Sequence, residues 1–332
     1  MLMEQVQVVH KYGAPRHYSA LESKYNVNYL EYLPSSGGRK YIRDLISISD
    51  AFISGEKNII AGFEPYSPLV YLFDKLRKNN NFIYHTSWPF WDDNRLPVKI
   101  KSKTIEKKWE DFLSESTIVT VTNSARSSLA SLGIEAVTIP HSVDTTTFFP
   151  KNDSNNGDLD VLFVGVLEER KGVKEILNIV DTVEGIDFTF VGDGPLSGLV
   201  SKSSSQHDNV TYHGYISDQN CLASIYRNCD IMVLPSKRKE HWEELFGIVI
   251  IEAMASGLPV IASDCVGPKE VVKDGRTGQL ISQGSQQELR TAIQEYRDDK
   301  AQRINHGRTA REYALRKYSE DVVISQWLDV IE

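Results

Sequence analysis

The chain has 332 residues, room for two α/β domains rather than one core. Apolar residues make up 41% and charged residues 25%, the make-up of an ordinary soluble globular protein, and no run approaches the roughly 18 apolar residues of a membrane span. The formal net charge of −8 comes from the second half: residues 1–150 hold 17 Lys+Arg against 16 Asp+Glu, the rest 20 against 29, and an acidic half excludes nucleic acid as the main partner.

Short apolar runs alternate with amphipathic stretches, the pattern of a parallel sheet covered by helices. In chain order, strands are expected at Gln5–Val9, Asn28–Tyr32, Asn58–Ala61, Asn81–His85, Ile118–Thr122 and Ala136–Ile139. A polar stretch over Pro150 to Asp158 reads as an interdomain linker, dividing a 1–150 domain from a 151–309 domain. Strands resume at Asp160–Val164, Asp187–Val191, Val210–His213, Ile231–Leu234 and Pro259–Ala262. Helices are expected at Gly172–Asp181, Asn220–Cys229, Phe246–Ser256, Gln287–Arg297 and Ala301–Ile331. The expected fold is therefore α/β, two doubly wound domains with ligands at the carboxyl ends of the strands.

The N-terminus lacks the basic start and apolar run of a signal peptide, and three cysteines (Cys221, Cys229, Cys265) make neither a disulfide framework nor a CxxC zinc pair. A cytoplasmic chain with reduced thiols is expected. The eight histidines show no H-x3-H spacing, and Asp158-Leu-Asp160 opens a strand at a linker end, far in sequence from the other candidates. No metal and no cofactor is expected.

The most informative segment runs Glu244-Leu-Phe-Gly-Ile-Val-Ile-Ile-Glu252-Ala-Met-Ala-Ser-Gly-Leu-Pro-Val. Glu252 sits inside an almost wholly apolar helix, where a carboxylate is costly unless donors reach it. Ribose hydroxyls are suitable donors; an Arg or Lys partner in a plain core helix is the alternative. Glu244 lies eight residues earlier, roughly 12 Å along a helix axis, which suits ribose at one end and a hexose at the other. Between them the amides of Phe246, Gly247 and Ile248 are free to meet a diphosphate, and Gly247 admits close backbone approach.

That motif resembles the donor-site signature of glycosyltransferase family 4, retaining enzymes of the GT-B fold. Phe163-Val-Gly165 through Arg170-Lys171-Gly172 is similar to the family's first turn of the second domain. Val191-Gly192-Asp193-Gly194-Pro195 and Tyr212-His-Gly-Tyr215-Ile216 resemble its base-proximal turns, and Ile139-Pro-His-Ser-Val-Asp144 its interdomain segment. The match is clear from about 118 to 282.

The resemblance implies two Rossmann-like domains facing across a cleft, a last helix (about 310–332) returning to the first domain, and transfer of a sugar from a UDP- or GDP-linked donor, with retention, to a glycan or lipid-linked acceptor. It gives Lys171 the leaving diphosphate, with charge building there in the transition state. Gly165, Gly192, Asp193, Gly194 and Tyr215 line the donor, although a plain β-turn also explains residues 192–194. Arg170 stands where it can substitute for the family's cation after the turn glycine, a position held here by Val166. His85, at a strand end, takes the family's active-site histidine position, and Gly13 its N-terminal glycine loop, without the usual double glycine. Catalytic roles thus fall on His85, Lys171 and Glu244. A sugar-nucleotide epimerase and a catalytically silent nucleotide-sugar-binding subunit remain alternatives.

Two features stand outside the resemblance. Trp88, Phe90 and Trp91 followed by Arg95, Lys99, Lys101, Lys103, Lys107, Lys108 and Trp109 suit either an anionic membrane surface or a solvated helix face with aromatic anchors. An insertion, Ser236–Glu243, carries Trp242 beside the donor motif.

Overall fold

The computed structural model describes residues 3–11, 16–32, 48–53, 55–91, 102–151, 158–240 and 242–332. Gly13, Arg95, Lys99, Lys101 and most of the expected linker lie outside them. The chain divides into two compact units, Met1–Ser142 with Glu320–Glu332, and Val143–Ser319. The division falls before the Pro150–Asp158 stretch, and the returning segment begins at Glu320.

The first unit holds six parallel strands: β1 (Gln5–His10), β2 (Asn26–Glu31), β3 (Asn58–Gly62), β4 (Asn81–Thr86), β5 (Thr117–Thr120) and β6 (Val137–Thr138), in the order β2-β1-β3-β4-β5-β6. Between them are a 3₁₀ segment (Arg16–Ser23) and helices α1 (Val70–Arg77), α2 (Lys103–Ser114) and α3 (Asn123–Ser131), of which the sequence reading offered only a helix face in the lysine run of α2. Trp109, Phe112 and Leu113 of α2 are buried, a helical stripe that the lysine run obscures in the sequence. One face of the sheet packs on α1 and α2 through Phe63, Phe73, Trp91 and Trp109. The other is covered by Tyr18, Leu21 and the returning helix, which contributes Val323, Ile324, Trp327 and Ile331.

The second unit also has six parallel strands: β7 (Leu159–Val164), β8 (Ile186–Val191), β9 (Val210–Tyr212), β10 (Ile231–Leu234), β11 (Val260–Ser263) and β12 (Gly278–Ile281), in the order β12-β11-β10-β7-β8-β9. Its helices are α4 (Val173–Leu177), α5 (Ser197–Gln206), α6 (Gln219–Asn228), α7 (Ile248–Ala255), α8 (Val266–Val271), α9 (Gln286–Asp298) and α10 (Lys300–Tyr318); α11 (Glu320–Ile331) is the segment belonging to the first unit. β7, β10 and β11 are buried on both faces, as the near-continuous Val/Ile/Leu/Phe runs require of a covered parallel sheet. In each sheet the strand order reverses once, between β1 and β3 and between β7 and β10. A crevice opens at such a reversal, outside the carboxyl ends of the strands.

Three expectations need correction. The single helix over Gly172–Asp181 is a 3₁₀ turn (Glu169–Lys171), a five-residue α4 and a second 3₁₀ turn (Val180–Thr182). Asn178, Val180, Asp181 and Thr182 are weak helix formers and do not extend it. The helix over Ala301–Ile331 breaks at Ser319, whose extended backbone pairs with Val143, while Glu320 and Asp321 favour a fresh N-terminus. β12 escaped notice because Gly278-Gln-Leu-Ile281 is short and only half apolar. Among the described residues, no helix is long and apolar enough to cross a membrane.

α7 is apolar around its circumference and accordingly buried, from Ile250 to Ala255. It ends in a Schellman motif: Gly257 N–H donates to Met254 O (3.0 Å) and Leu258 N–H to Ala253 O (3.0 Å). Backbone packing is tightest where β7 and β8 end. Gly192 has φ 138°, and a Cβ there would lie 1.9 Å from the Gly165 carbonyl oxygen. Gly192→Ala is therefore expected to cost at least about 2 kcal/mol, from strain plus the backbone shift it forces. A urea melt unchanged within about 0.5 kcal/mol would refute this packing account.

Candidate functional site

The turns following β7, β8 and β9 interlock through backbone bonds. Gly165 N–H donates to Val191 O (3.0 Å), Leu167 N–H to Asp193 O (2.9 Å) and Gly192 N–H to Gly214 O (2.8 Å). Gly165, Gly192 and Gly194 thus come together, and Tyr215, next to Gly214, projects with 72% of its surface exposed. The Asp193 carboxylate is held by its own turn, accepting from Ser197 Oγ (2.5 Å) and Gly194 N–H (2.7 Å). Those two donors lower its pKa from the ordinary carboxylate value. The β-turn reading of residues 192–194 accounts for Asp193 without a ligand.

At the order reversal, the segment after β7 meets the segment after β10. Lys171 Nζ pairs with the Glu244 carboxylate, and Ser236 Oγ lies 3.5 Å from the same oxygen. Both charged side chains are mostly buried, 16% and 12% exposed. Arg170 lies on the indole of Trp242, 3.9 Å from guanidinium carbon to ring centre, with Lys171 Nζ 5.0 Å from that ring. Arg170 also pairs with Glu168 at 2.5 Å. Val166 is half exposed.

The insertion is pinned to its surroundings. Lys237 N–H donates to Arg170 O (2.7 Å), Lys237 Nζ pairs with Glu175 (2.6 Å), and Arg238 grips the buried Glu243 with two bonds (2.6 and 2.9 Å). Glu243 also accepts from Val266 N–H (2.9 Å) at the start of α8, and Gly267 N–H donates to Glu244 O (3.0 Å). Glu244 is thereby fixed from both sides by α8 and the insertion, two contacts that sequence spacing does not reveal.

Gly247 begins α7 in the left-handed region, φ 85°, with no side chain capping the first turn. Phe246 turns inward, edge-on to Tyr318 at 5.9 Å. Glu252 is 4% exposed and accepts a hydrogen bond from Tyr226 Oη (3.0 Å), which comes from α6. Tyr226 is the residue the sequence reading missed. Its only signal was the apolar stripe of α6 with Leu222 and Ala223.

His85, at the end of β4 in the first unit, is buried and joined by His10, His17 and His141. Ring centres lie 4.3 Å apart for His17–His141, 6.0 Å for His17–His85 and 6.2 Å for His85–His141. Tyr18 Oη lies 2.5 Å from His85 Nδ1, while His85 Nε2 is buried with no hydrogen-bond partner among the described residues. Burial, with repulsion from neighbouring cations second, pushes all four imidazoles below their ordinary value, His10 to about 4 and His141 to about 3. Among the described residues, no group of three or more His, Cys, Asp or Glu is arranged to hold a metal ion.

In the aromatic and basic run, two rings belong to the core, while Lys103 and Lys107 are exposed. Trp91 is 4% exposed and Trp109 fully buried, its Nε1–H donating to Ser67 O (3.0 Å), and Lys108 pairs with the buried Asp74. Those three side chains face the protein; the run's members from 92 to 101 lie outside the described residues.

Residues 144–313, half of the chain, match the family described as glycosyl transferases group 1. The chain belongs to that family. A phosphatidyl-myo-inositol mannosyltransferase of Mycobacterium leprae is 29% identical over 217 residues, covering 61% of this chain and 55% of the relative. Sulfoquinovosyl transferase SQD2 of Arabidopsis thaliana is 28% identical over 183 residues, covering 51% and 34%. The chain thus spans about half the length, or less, of these curated relatives.

Sucrose-phosphate synthase of Thermosynechococcus elongatus superposes with a TM-score of 0.76 at 17% identity, covering 99% and 98% of the two chains. Anabaena HepE in complex with UDP and glucose gives 0.72 at 16% identity, covering 99% of both. At such identities the likeness is one of fold, and the fold of this group 1 chain is GT-B.

The neutral histidine cluster sets a pH dependence. The folded pKa values lie below the unfolded value near 6.5, so between about pH 6.5 and 4 the unfolded chain binds protons that the folded one does not. Stability should fall as pH drops through that window, by up to about 1.4 kcal/mol per pH unit for each histidine involved. His141→Asn should flatten the slope of urea midpoint against pH; an unchanged slope would remove His141 from the account.

Proposed function

We propose that the chain is a retaining glycosyltransferase using a UDP- or GDP-linked sugar, with the donor held at the strand reversal of the second unit. The observation carrying this reading is the Lys171–Glu244 pair, set between glycine turns and beside the uncapped start of α7. Lys171 and the amides from Phe246 to Ile248 would hold the diphosphate, with Arg170 as a second cation. Glu244 would accept bonds from sugar hydroxyls. Glu252, which accepts a bond from Tyr226, would also accept from ribose hydroxyls. Gly165, Gly192, Gly194 and Tyr215 would border the base, mostly through backbone groups.

In the reaction, an acceptor hydroxyl oxygen forms the new bond to the anomeric carbon on the face from which the nucleoside diphosphate departs. The sugar–phosphate bond breaks, and the departing phosphate oxygen takes the acceptor proton. Negative charge grows on that phosphate, where Lys171 stabilises it more in the transition state than in the bound donor. No carboxylate nucleophile is required. The acceptor is proposed to be a glycan or lipid-linked hydroxyl met at the cytoplasmic side of a membrane, with neutral His85 contributing through its unpartnered Nε2.

The test is a thermal-shift and turnover series of wild type and Glu252→Ala with UDP, GDP and their sugar conjugates. One nucleotide at about 100 times its dissociation constant should add roughly 2.7 kcal/mol to wild type and far less to the variant, with slow release of diphosphate from the sugar conjugate. Binding without release would favour a silent subunit, and interconversion of the sugar an epimerase. Absence of any nucleotide effect on wild type would remove the donor site itself.

A further inference from the structure

The edge of the second sheet opposite the donor turns, where β10 and β11 begin, holds a cavity of about 520 Å³. Strands of four residues put it on the order of 13 Å from the strand ends that carry Ser236 and Ser263. Its lining includes six cations, Lys151, Arg227, Lys300, Arg303, Arg308 and Arg311, against two carboxylates, Asp230 and Glu312. This excess of positive charge occurs in the acidic half of the chain.

Part of that charge serves the fold. Arg311 Nη1 donates to Ala255 O (2.6 Å) and Phe148 O (2.7 Å), and Nη2 to Thr145 O (3.2 Å). These bonds neutralise the carbonyl end of α7, which would otherwise repel an anion. They use three of the five guanidinium N–H groups and leave two. Among the described residues no carboxylate faces Arg311, and burial lowers its pKa from the ordinary arginine value. Arg227 spends one N–H on Thr147 O (3.1 Å) and stacks on Phe149 at 4.4 Å. Arg308 has a single bond, to Asn305 Oδ1 within its own helix (3.2 Å).

A second observation is independent of charge. Ser256, at the end of α7, lines the cavity and is 2% exposed, yet its hydroxyl has no hydrogen-bond partner among the described residues. A buried hydroxyl left unpaired is costly unless something fills the space beside it. Leu258, Pro259 and Ile304 supply an apolar wall.

We propose that this cavity is a second binding site, taking a small soluble phosphorylated molecule whose phosphate meets the guanidinium groups and the Ser256 hydroxyl while its carbon skeleton lies on the apolar wall. The volume suits a ligand the size of a sugar phosphate. Guanidinium forks match phosphate oxygens in geometry as well as in charge.

The test is titration calorimetry of the full chain with inorganic pyrophosphate. All titrations use a Lys171→Ala background, which removes the first of the two donor-site cations, and the changes at the cavity then tell the two sites apart. Pyrophosphate should still bind to Lys171→Ala. Adding Lys151→Ala and Arg308→Ala, both exposed side chains, should weaken binding at least about tenfold. Adding Ser256→Ala should weaken it several-fold without lowering the melting temperature. The proposal fails if Lys171→Ala binds no pyrophosphate at a few millimolar, or if the Lys151 and Arg308 changes leave its affinity unaltered. Loss of wild-type donor binding in Lys171→Ala bears on the donor site alone.

Discussion

The Lys171–Glu244 ion pair ties the two halves of the second sheet together at the place where strand order reverses. One charge follows β7 and the other follows β10, neighbouring strands whose connections leave on opposite sides. Both side chains are mostly shielded from water, so neither charge tolerates loss of its partner well. Everything around the pair serves to hold it: the glycine turns admit the backbones, Glu243 and Arg238 anchor the insertion, and the start of α8 fixes the Glu244 carbonyl. On the proposed reading, a polyanion arriving there would meet a lysine already positioned, and a carboxylate able to exchange ammonium for hydroxyl donors.

α7 gives the second unit its rigidity. It is too apolar to lie anywhere but in the core, and a glycine brackets it at each end. Its single carboxylate, Glu252, is retained at a desolvation cost that the bond from Tyr226 helps to offset. The same helix brings Gly247 to one edge of the sheet and Ser256 to the other, so two polar environments of opposite character share one stiff element.

Much of this was legible in the residues themselves. Strand positions followed from apolar runs, because a sheet covered on both faces leaves little choice of side chain. Glu244, Glu252 and Lys171 stood out because each is chemically out of place for its local element. Tyr226 did not, since a tyrosine on an apolar stripe is unremarkable until the helix it faces is known. The cluster of His10, His17, His85 and His141 was equally hidden. Its members are scattered along the chain, and only the parallel sheet gathers their strand ends on one edge. Trp91 and Trp109 misled in the other direction, because aromatics among lysines look the same whether the lysines or the rings face water. The break at Ser319 carried a signal, a serine before two acidic residues, which the long helical period on either side masked.

The return of Glu320–Ile331 to the first unit has a consequence for biosynthesis. Val323, Ile324 and Trp327 close one face of a sheet whose strands all emerge from the ribosome before the second unit has been made. Until translation reaches that helix, Val6, Ile60, Ile83 and Val119 lack part of their cover, while the second unit already has its full complement of strands. The nascent chain should therefore complete its domains in reverse order, the later-made unit first, with a chaperone-sensitive interval for the earlier one.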